Sequence, residues 1–293
     1  MSFEVHLIDG TYELFRHFFA VPSRKTPHGS EIGAVRGVLN SVLNLFEMGA
    51  THMAVATDST ITSFRNELWP GYKDGSDIDP LIEEQFDPLE EGLRALGIEL
   101  WPMSEFEADD ALAAGAAMAS DDPRVSKVLI CTPDKDLAQC VGGKIFQWDR
   151  RKDLLLGSQE VEEKYGVSPA SIPDYLALVG DSADGFPGLS GWGQKSSAVV
   201  LNHYGSIDLI PDRYEEWDIQ VRSGASLASR LASDRNLAML FKEIATVRND
   251  APVSNTVDAL EWSGPTVNFE GFCGTNGLEA LFARTEKVVA DRT

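Results

Sequence analysis

Three short apolar runs of β character, EVHLID (4–9), HMAVAT (52–57) and VLICT (128–132), each end on an aspartate or within two residues of one, and a fourth, KIFQWD (144–149), follows. Between them, IGAVRGVLNSVLNLF (32–46), LIEEQFDPLEEGLRAL (81–96) and ADDALAAGAAMA (108–119) carry helical periodicity. Strands alternating with helices predict an α/β fold with a mostly parallel sheet covered on both faces. The stretch 60–80 has weak periodicity, prolines, glycines and acids, and is expected to leave the sheet. From about residue 158 the strand signal stops. SQEVEEKYG, SIPDYLALVG, QKSSAVVLNHYG and ASRLASDRNLAMLFKEIATV predict a helical second lobe, and 253–293 predicts only a last helix. The expected division is an α/β domain over 1–165 and a helical lobe over 166–293.

In open α/β sheets, sites form beyond the carboxyl ends of the strands. Asp9, Asp58, Asp134 and Asp136 are therefore expected along one edge. Glu107, Asp109 and Asp110 open the alanine-rich helix, and the spacing of three puts Glu107 and Asp110 on one helical face. Capping of that helix N-terminus accounts for this trio but not for so many acids at one edge. Asp181 and Asp184, three residues apart in a turn, join them if that turn folds back. Like charges about 4 Å apart repel by roughly 4 kcal/mol at an effective dielectric near 20. Such a cluster needs raised pKa values or bound cations, and hard oxygen ligands without His or Cys select Mg²⁺ or Mn²⁺. Two such ions suit phosphodiester hydrolysis.

Arg16, Arg24, Lys25 and Arg36 lie in or beside the first helices, and Arg65, Tyr72 and Lys73 in the excursion. Each alone reads as a solvated charge; beside an all-carboxylate site they would hold a phosphate. Cys131, Cys140 and Cys273 have neither disulfide nor zinc spacing and read as small buried residues. The N-terminus carries no signal-peptide pattern and no apolar run is long enough to span a bilayer, so a cytoplasmic protein without a membrane partner is expected.

LIDGTYELFRHFFA, GAVRGVLNSVLNLF, FRNELWPGYK, FEADDALA, TPDKDLAQ and GDSADGFPGLSGWGQKSSA resemble, in this order, the blocks of the 5′-nuclease superfamily. The match is to bacterial 5′-3′ exonucleases, the N-terminal nuclease domain of DNA polymerase I and flap endonucleases, over roughly residues 4–250. The resemblance implies a PIN-like (resolvase-like) sheet, a helical arch and a helix-three-turn-helix motif in the C-terminal lobe. It implies a metal-dependent flap endonuclease or 5′-3′ exonuclease of DNA replication or repair, acting as a monomer with two ions. Asp9, Asp58, Glu107, Asp109, Asp110, Asp134, Asp136, Asp181 and Asp184 match its metal-site acids. Arg16, Tyr72 and Lys73 match its catalytic phosphate-handling positions, with Lys73 as the transition-state cation and Tyr72 stacking on a base. Gly188, Gly191, Gly193, Gln194, Lys195 and Ser196 match the hairpin that grips duplex DNA, where K⁺ also binds in some relatives; Arg36 and Arg65 are further DNA contacts. Two departures stand out: the arch reads DGSDID, with three acids where relatives usually add an Arg, and Ala183 and Gly185 replace polar residues in the hairpin.

With 25 Lys and Arg against 46 Asp and Glu, the chain carries a formal charge of −21, which opposes binding to a phosphate backbone. Either the excess lies away from the DNA groove, or the source is adapted to high salt. A DNA-binding protein without catalysis and a PIN-like ribonuclease are the alternative readings.

Overall fold

The computed structural model describes residues 2–292, which fall into two compact units. The first comprises 1–61, 75–132 and 249–293, the second 62–74 and 133–248. Both are discontinuous in sequence, so the expected break at 165/166 falls inside the second.

In the first unit, β1 (Phe3–Asp9), β2 (His52–Asp58), β3 (Glu99–Met103) and β4 (Val125–Cys131) form a parallel sheet in the order β3-β2-β1-β4. The last five residues of β1 and the first six of β2 are buried, as strands covered on both faces must be. Strand β3 is absent from the expectations above because ELWPM contains Pro102. Its position at the edge of these four strands explains how a residue that cannot donate to the ladder is accommodated.

The helix Gly10–Ala20 follows β1 directly, and Gly10 permits this close turn, since a Cβ there would sit 2.6 Å from Val55 Cγ1. The alanine-rich helix Ala108–Asp121 comes close to the sheet layer by the same device: a Cβ on Gly115 would lie 2.4 Å from the Trp101 ring. The amphipathic helix Gly33–Glu47 buries eleven of its fifteen residues, among them Leu39, Leu43 and Phe46. Two C-terminal helices, Phe269–Asn276 and Glu279–Ala290, complete this unit. The indole of Trp262 stacks on Phe46 at 4.1 Å, and its Nε1 donates to the Leu96 carbonyl at 2.8 Å.

The second unit holds a short antiparallel pair, β5 (Ile145–Asp149) and β6 (Leu154–Leu156), and is otherwise helical. Its main helices are Ser158–Tyr165, Ile172–Val179, Gln194–Tyr204 and Gly224–Ala245, the last kinked at Asp234. Their apolar faces converge on Leu176, Leu178, Phe186, Trp192, Leu231 and Phe241. The excursion carries two one-turn helices, Arg65–Leu68 and Pro80–Glu83, where the resemblance places an arch; the acids Asp74, Asp77 and Asp79 between them are exposed. Among the described residues no helix is long and apolar enough to cross a membrane.

Candidate metal centre and nucleic-acid interface

At the carboxyl edge of the first unit's sheet, register pairs Asp9 with Ala56 and Asp58 with Met103, so both acids end their strands at that edge. Asp9 is buried; its Oδ1 accepts from the Tyr12 N–H at 2.8 Å, capping the Gly10–Ala20 helix, and its Oδ2 accepts from Thr132 Oγ1 at 2.9 Å. Asp58 Oδ1 accepts from the Ala108 N–H at 2.8 Å, which ties the end of β2 to the N-terminus of the alanine-rich helix. There the Glu107 N–H donates to Asp110 Oδ2 at 3.0 Å; Glu107 and Asp110 are buried and Asp109 half-buried. Capping is thus part of what Glu107 and Asp110 do, and the same bond holds the Asp110 carboxylate in place.

In the second unit, Asp181 and Asp184 sit in a turn closed by reciprocal bonds between Asp181 and Phe186, at 2.8 and 3.0 Å. The Ala183 N–H donates to Asp181 Oδ1 at 2.9 Å. Gly185 has φ +82°, and a Cβ there would lie 2.0 Å from the Gly71 carbonyl oxygen, so the departure to glycine at this position permits a backbone contact with 62–74. Through that contact the excursion delivers its lysine: Lys73 N–H donates to the Asp184 carbonyl at 3.1 Å, and Lys73 Nζ reaches Asp184 Oδ1 at 2.9 Å.

Asp136, at the start of a short 3-10 helix after Asp134, completes the group. Ligand atoms of Asp136, Asp181 and Asp184 lie within 4.8 Å of one another, and all three residues are buried. Burial, then the charges of Asp134, Asp184 and Asp181, push the Asp136 pKa well above the usual carboxylate range. Asp134 is open to solvent on one side; desolvation by the protein around it and the charges of Asp184 and Asp181 raise its pKa against the opposing Asp136 N–H. Asp136 Oδ1 is buried without a hydrogen-bond partner. Clustered hard oxygen donors with one orphaned carboxylate oxygen fit a divalent cation. Lys135, which the expectations above did not single out, places Nζ 2.6 Å from Asp181 Oδ1. A lysine between two aspartates in TPDKDLAQ reads as a solvated charge, and only the fold reveals its partner.

Several expected contacts take other roles. Arg65 is buried, its Nε donating to the Ile244 carbonyl at 2.8 Å and its Nη2 to that of Thr246 at 3.1 Å, so it ties 62–74 to the end of a helix and is no surface for DNA. Tyr72 is 5 % exposed within the apolar core, so the expected stacking on a base would require its ring to leave that core. Gly188, with φ +67°, meets Gly180 backbone to backbone; a Cβ would lie 2.3 Å from the Gly180 nitrogen, so this glycine locks the acid turn. Arg16 is ion-paired to Glu13 at 2.6 Å, while Arg36 is half-buried with its Nε lacking a hydrogen-bond partner.

The rest of the hairpin is open. Gly191, Gly193, Gln194 and Lys195 are exposed at the start of the eleven-residue Gln194–Tyr204 helix, and no atom crowds Gly193. Ser196 Oγ spends its bonds on the Gly193 N–H and carbonyl, at 3.2 and 3.0 Å. A helix N-terminus with accessible backbone N–H groups and a lysine suits an anion.

Two family models match the chain: "5′-3′ exonuclease, N-terminal resolvase-like domain" over residues 4–166 and "5′-3′ exonuclease, C-terminal SAM fold" over 167–268. DNA polymerase I of Pseudomonas aeruginosa is 35 % identical over 266 residues; the match covers 87 % of this chain but only 28 % of that much longer protein. A 5′-3′ exonuclease of Buchnera aphidicola is 30 % identical, with 88 % of this chain and 86 % of that protein covered. Among solved structures, a bacteriophage T5 flap endonuclease in complex with DNA and metal ions aligns over 98 % of both chains with a TM-score of 0.67 at 17 % identity, a likeness of fold. The resolvase-like sheet and the helical second part expected from the sequence are the architecture these matches share.

Proposed function

The chain belongs to the 5′-3′ exonuclease family, and we propose that it is a divalent-metal-dependent nuclease hydrolysing DNA phosphodiesters beside a single-strand/double-strand junction, at a 5′ flap or 5′ end. The observation that carries this reading is the buried group Asp136, Asp181 and Asp184 with its orphaned Asp136 Oδ1. Its donors are all hard oxygens, which favours Mg²⁺ or Mn²⁺ over zinc. The T5 flap endonuclease, a neighbour in fold that was solved with DNA and metal ions, supports the substrate class.

Asp136, Asp181 and Asp184, with Asp134 at the solvent side, would hold one ion; Asp9, Asp58, Glu107, Asp109 and Asp110 are the candidates for a second. Such ions supply an activated water and charge stabilisation on the leaving oxygen. Lys73, fixed by its backbone bond to Asp184, is a positive group next to these carboxylates that could neutralise a phosphate as charge builds on it. The exposed Gly191–Lys195 stretch would hold one strand through its phosphates, on backbone N–H groups and the helix dipole. A potassium ion there rests on the resemblance alone.

A 5′-labelled flap duplex incubated with Mg²⁺ across a KCl series, with EDTA and Asp134→Asn as controls and an RNA counterpart alongside, tests this. Junction-proximal cleavage of DNA that both controls abolish is expected. DNA bound but uncut at every KCl concentration would refute catalysis in favour of a binding protein, and preferential cleavage of RNA would favour the ribonuclease reading.

A further inference from the structure

Of the clustered carboxylates of the second unit, Asp181 and Asp184 each have a lysine ammonium against them. Lys73 serves Asp184 and Lys135 serves Asp181, at 2.9 and 2.6 Å. Asp136 Oδ1 alone among these oxygens is buried without a hydrogen-bond partner. That oxygen is a donor left over for a divalent ion.

We infer that Lys135 is a built-in counter-cation that occupies Asp181 and thereby weakens and limits the divalent-ion binding of this cluster. The inference rests on the metal-nuclease reading and adds a residue that sets the metal requirement. An ordinary surface ion pair would carry no such weight, because solvent screens both partners. Here the Asp181 side chain is only 2 % exposed, so water cannot replace the ammonium, whereas Lys135 is 35 % exposed and has a long stem that can swing outward. An ion that recruits Asp181 must therefore either displace Lys135 from Oδ1 or bind the other carboxylate oxygen with the ammonium charge a few ångströms away, and both weaken its binding. Backbone geometry keeps the lysine at hand: it lies between Asp134 and Asp136, where the Asp136 N–H donates to Asp134 Oδ1 at 3.0 Å and fixes the turn.

Isothermal titration of the full chain with Mn²⁺, a readout independent of cleavage, tests the inference with K135Q, K135R and the double variant K135Q/D136N. K135Q should bind Mn²⁺ at least about tenfold more tightly than the parent chain, consistent with loss of a unit charge a few ångströms from the ion. K135R, which keeps the charge, should stay within about twofold, and the double variant should lose the gain, which locates it at this cluster. Unchanged or weaker Mn²⁺ binding by K135Q overturns the inference while leaving the nuclease reading intact; a parent chain that binds no divalent ion overturns the nuclease reading itself. If K135Q folds only when Mn²⁺ is present, the ion has replaced the ammonium and the inference holds. Failure to fold even at saturating Mn²⁺ would make Lys135 a purely structural cation and overturn it.

Discussion

Replacing Asp136 by asparagine should stabilise the chain in EDTA while abolishing most of its stabilisation by metal. Carboxylate oxygens of Asp136, Asp181 and Asp184 lie within 4.8 Å of one another, and a unit-charge pair at that distance repels by about 3.5 kcal/mol at an effective dielectric near 20. Lys73 and Lys135 offset part of this, so a net relief of about 2 kcal/mol is the reasonable expectation, or about 3 °C in Tm for a protein of this size. The raised Asp136 pKa gives the same sign. The folded chain holds that proton longer than the unfolded chain does, so this contribution to stability is present at acid pH and is lost as pH rises above the ordinary carboxylate range. D136N should remove that loss and flatten the neutral side of the pH-stability curve. Thermal melts of parent and variant at pH 5 and 8, in EDTA and in millimolar Mn²⁺, measure all four corners. A D136N Tm at or below the parent's at pH 8 in EDTA, or an equal Mn²⁺-induced rise in both proteins, would refute the electrostatic account of the cluster.

Arg65→Met should lower stability by about 2–4 kcal/mol, because two helix-end carbonyls lose a charged donor inside the protein; a urea midpoint within error of the parent's would contradict the buried role. Tyr72→Phe should leave cleavage and DNA affinity within about twofold, while Tyr72→Ala should cost about 3 kcal/mol or more through the cavity it leaves; a large loss of DNA affinity in the Phe variant would restore a direct contact. Mn²⁺ affinity should fall as pH drops through the raised range of Asp136 and Asp134, since protons compete for the same oxygens, and a pH-independent titration between 5 and 8 would count against these acids as ligands.

Where side chains follow a strong backbone rule, the sequence was transparent. The runs 4–9, 52–57 and 144–149 coincide with β1, β2 and β5 to within a residue, because apolar strands bounded by turn residues have few other uses. The run 128–132 located β4 but started late, at the point where Ser126 and Lys127 break the apolar pattern. β3 was hidden by its proline and by the long helical pattern before it. At the site, the acids were legible because strand ends and the Asp181–Asp184 turn place them whatever the details of packing. Arg65 and Tyr72 were not, since their segment lacks periodicity and nothing local tells a buried arginine from an exposed one. Lys135 was equally opaque, its partner lying 46 positions further along the chain.

The first unit's split across the sequence also sets a timetable. All four of its strands have been synthesised once residue 131 is made, yet Trp262, which lies over Phe46, and Arg292, which bonds the Ala50 carbonyl at 2.8 Å, belong to its final segment. The 116 residues of 133–248 intervene, and at about 5–20 residues per second their synthesis takes roughly 6–23 s. For that interval the nascent sheet waits with an apolar flank uncovered, a window in which a chaperone would find it and in which crowding of neighbouring chains would do the most harm.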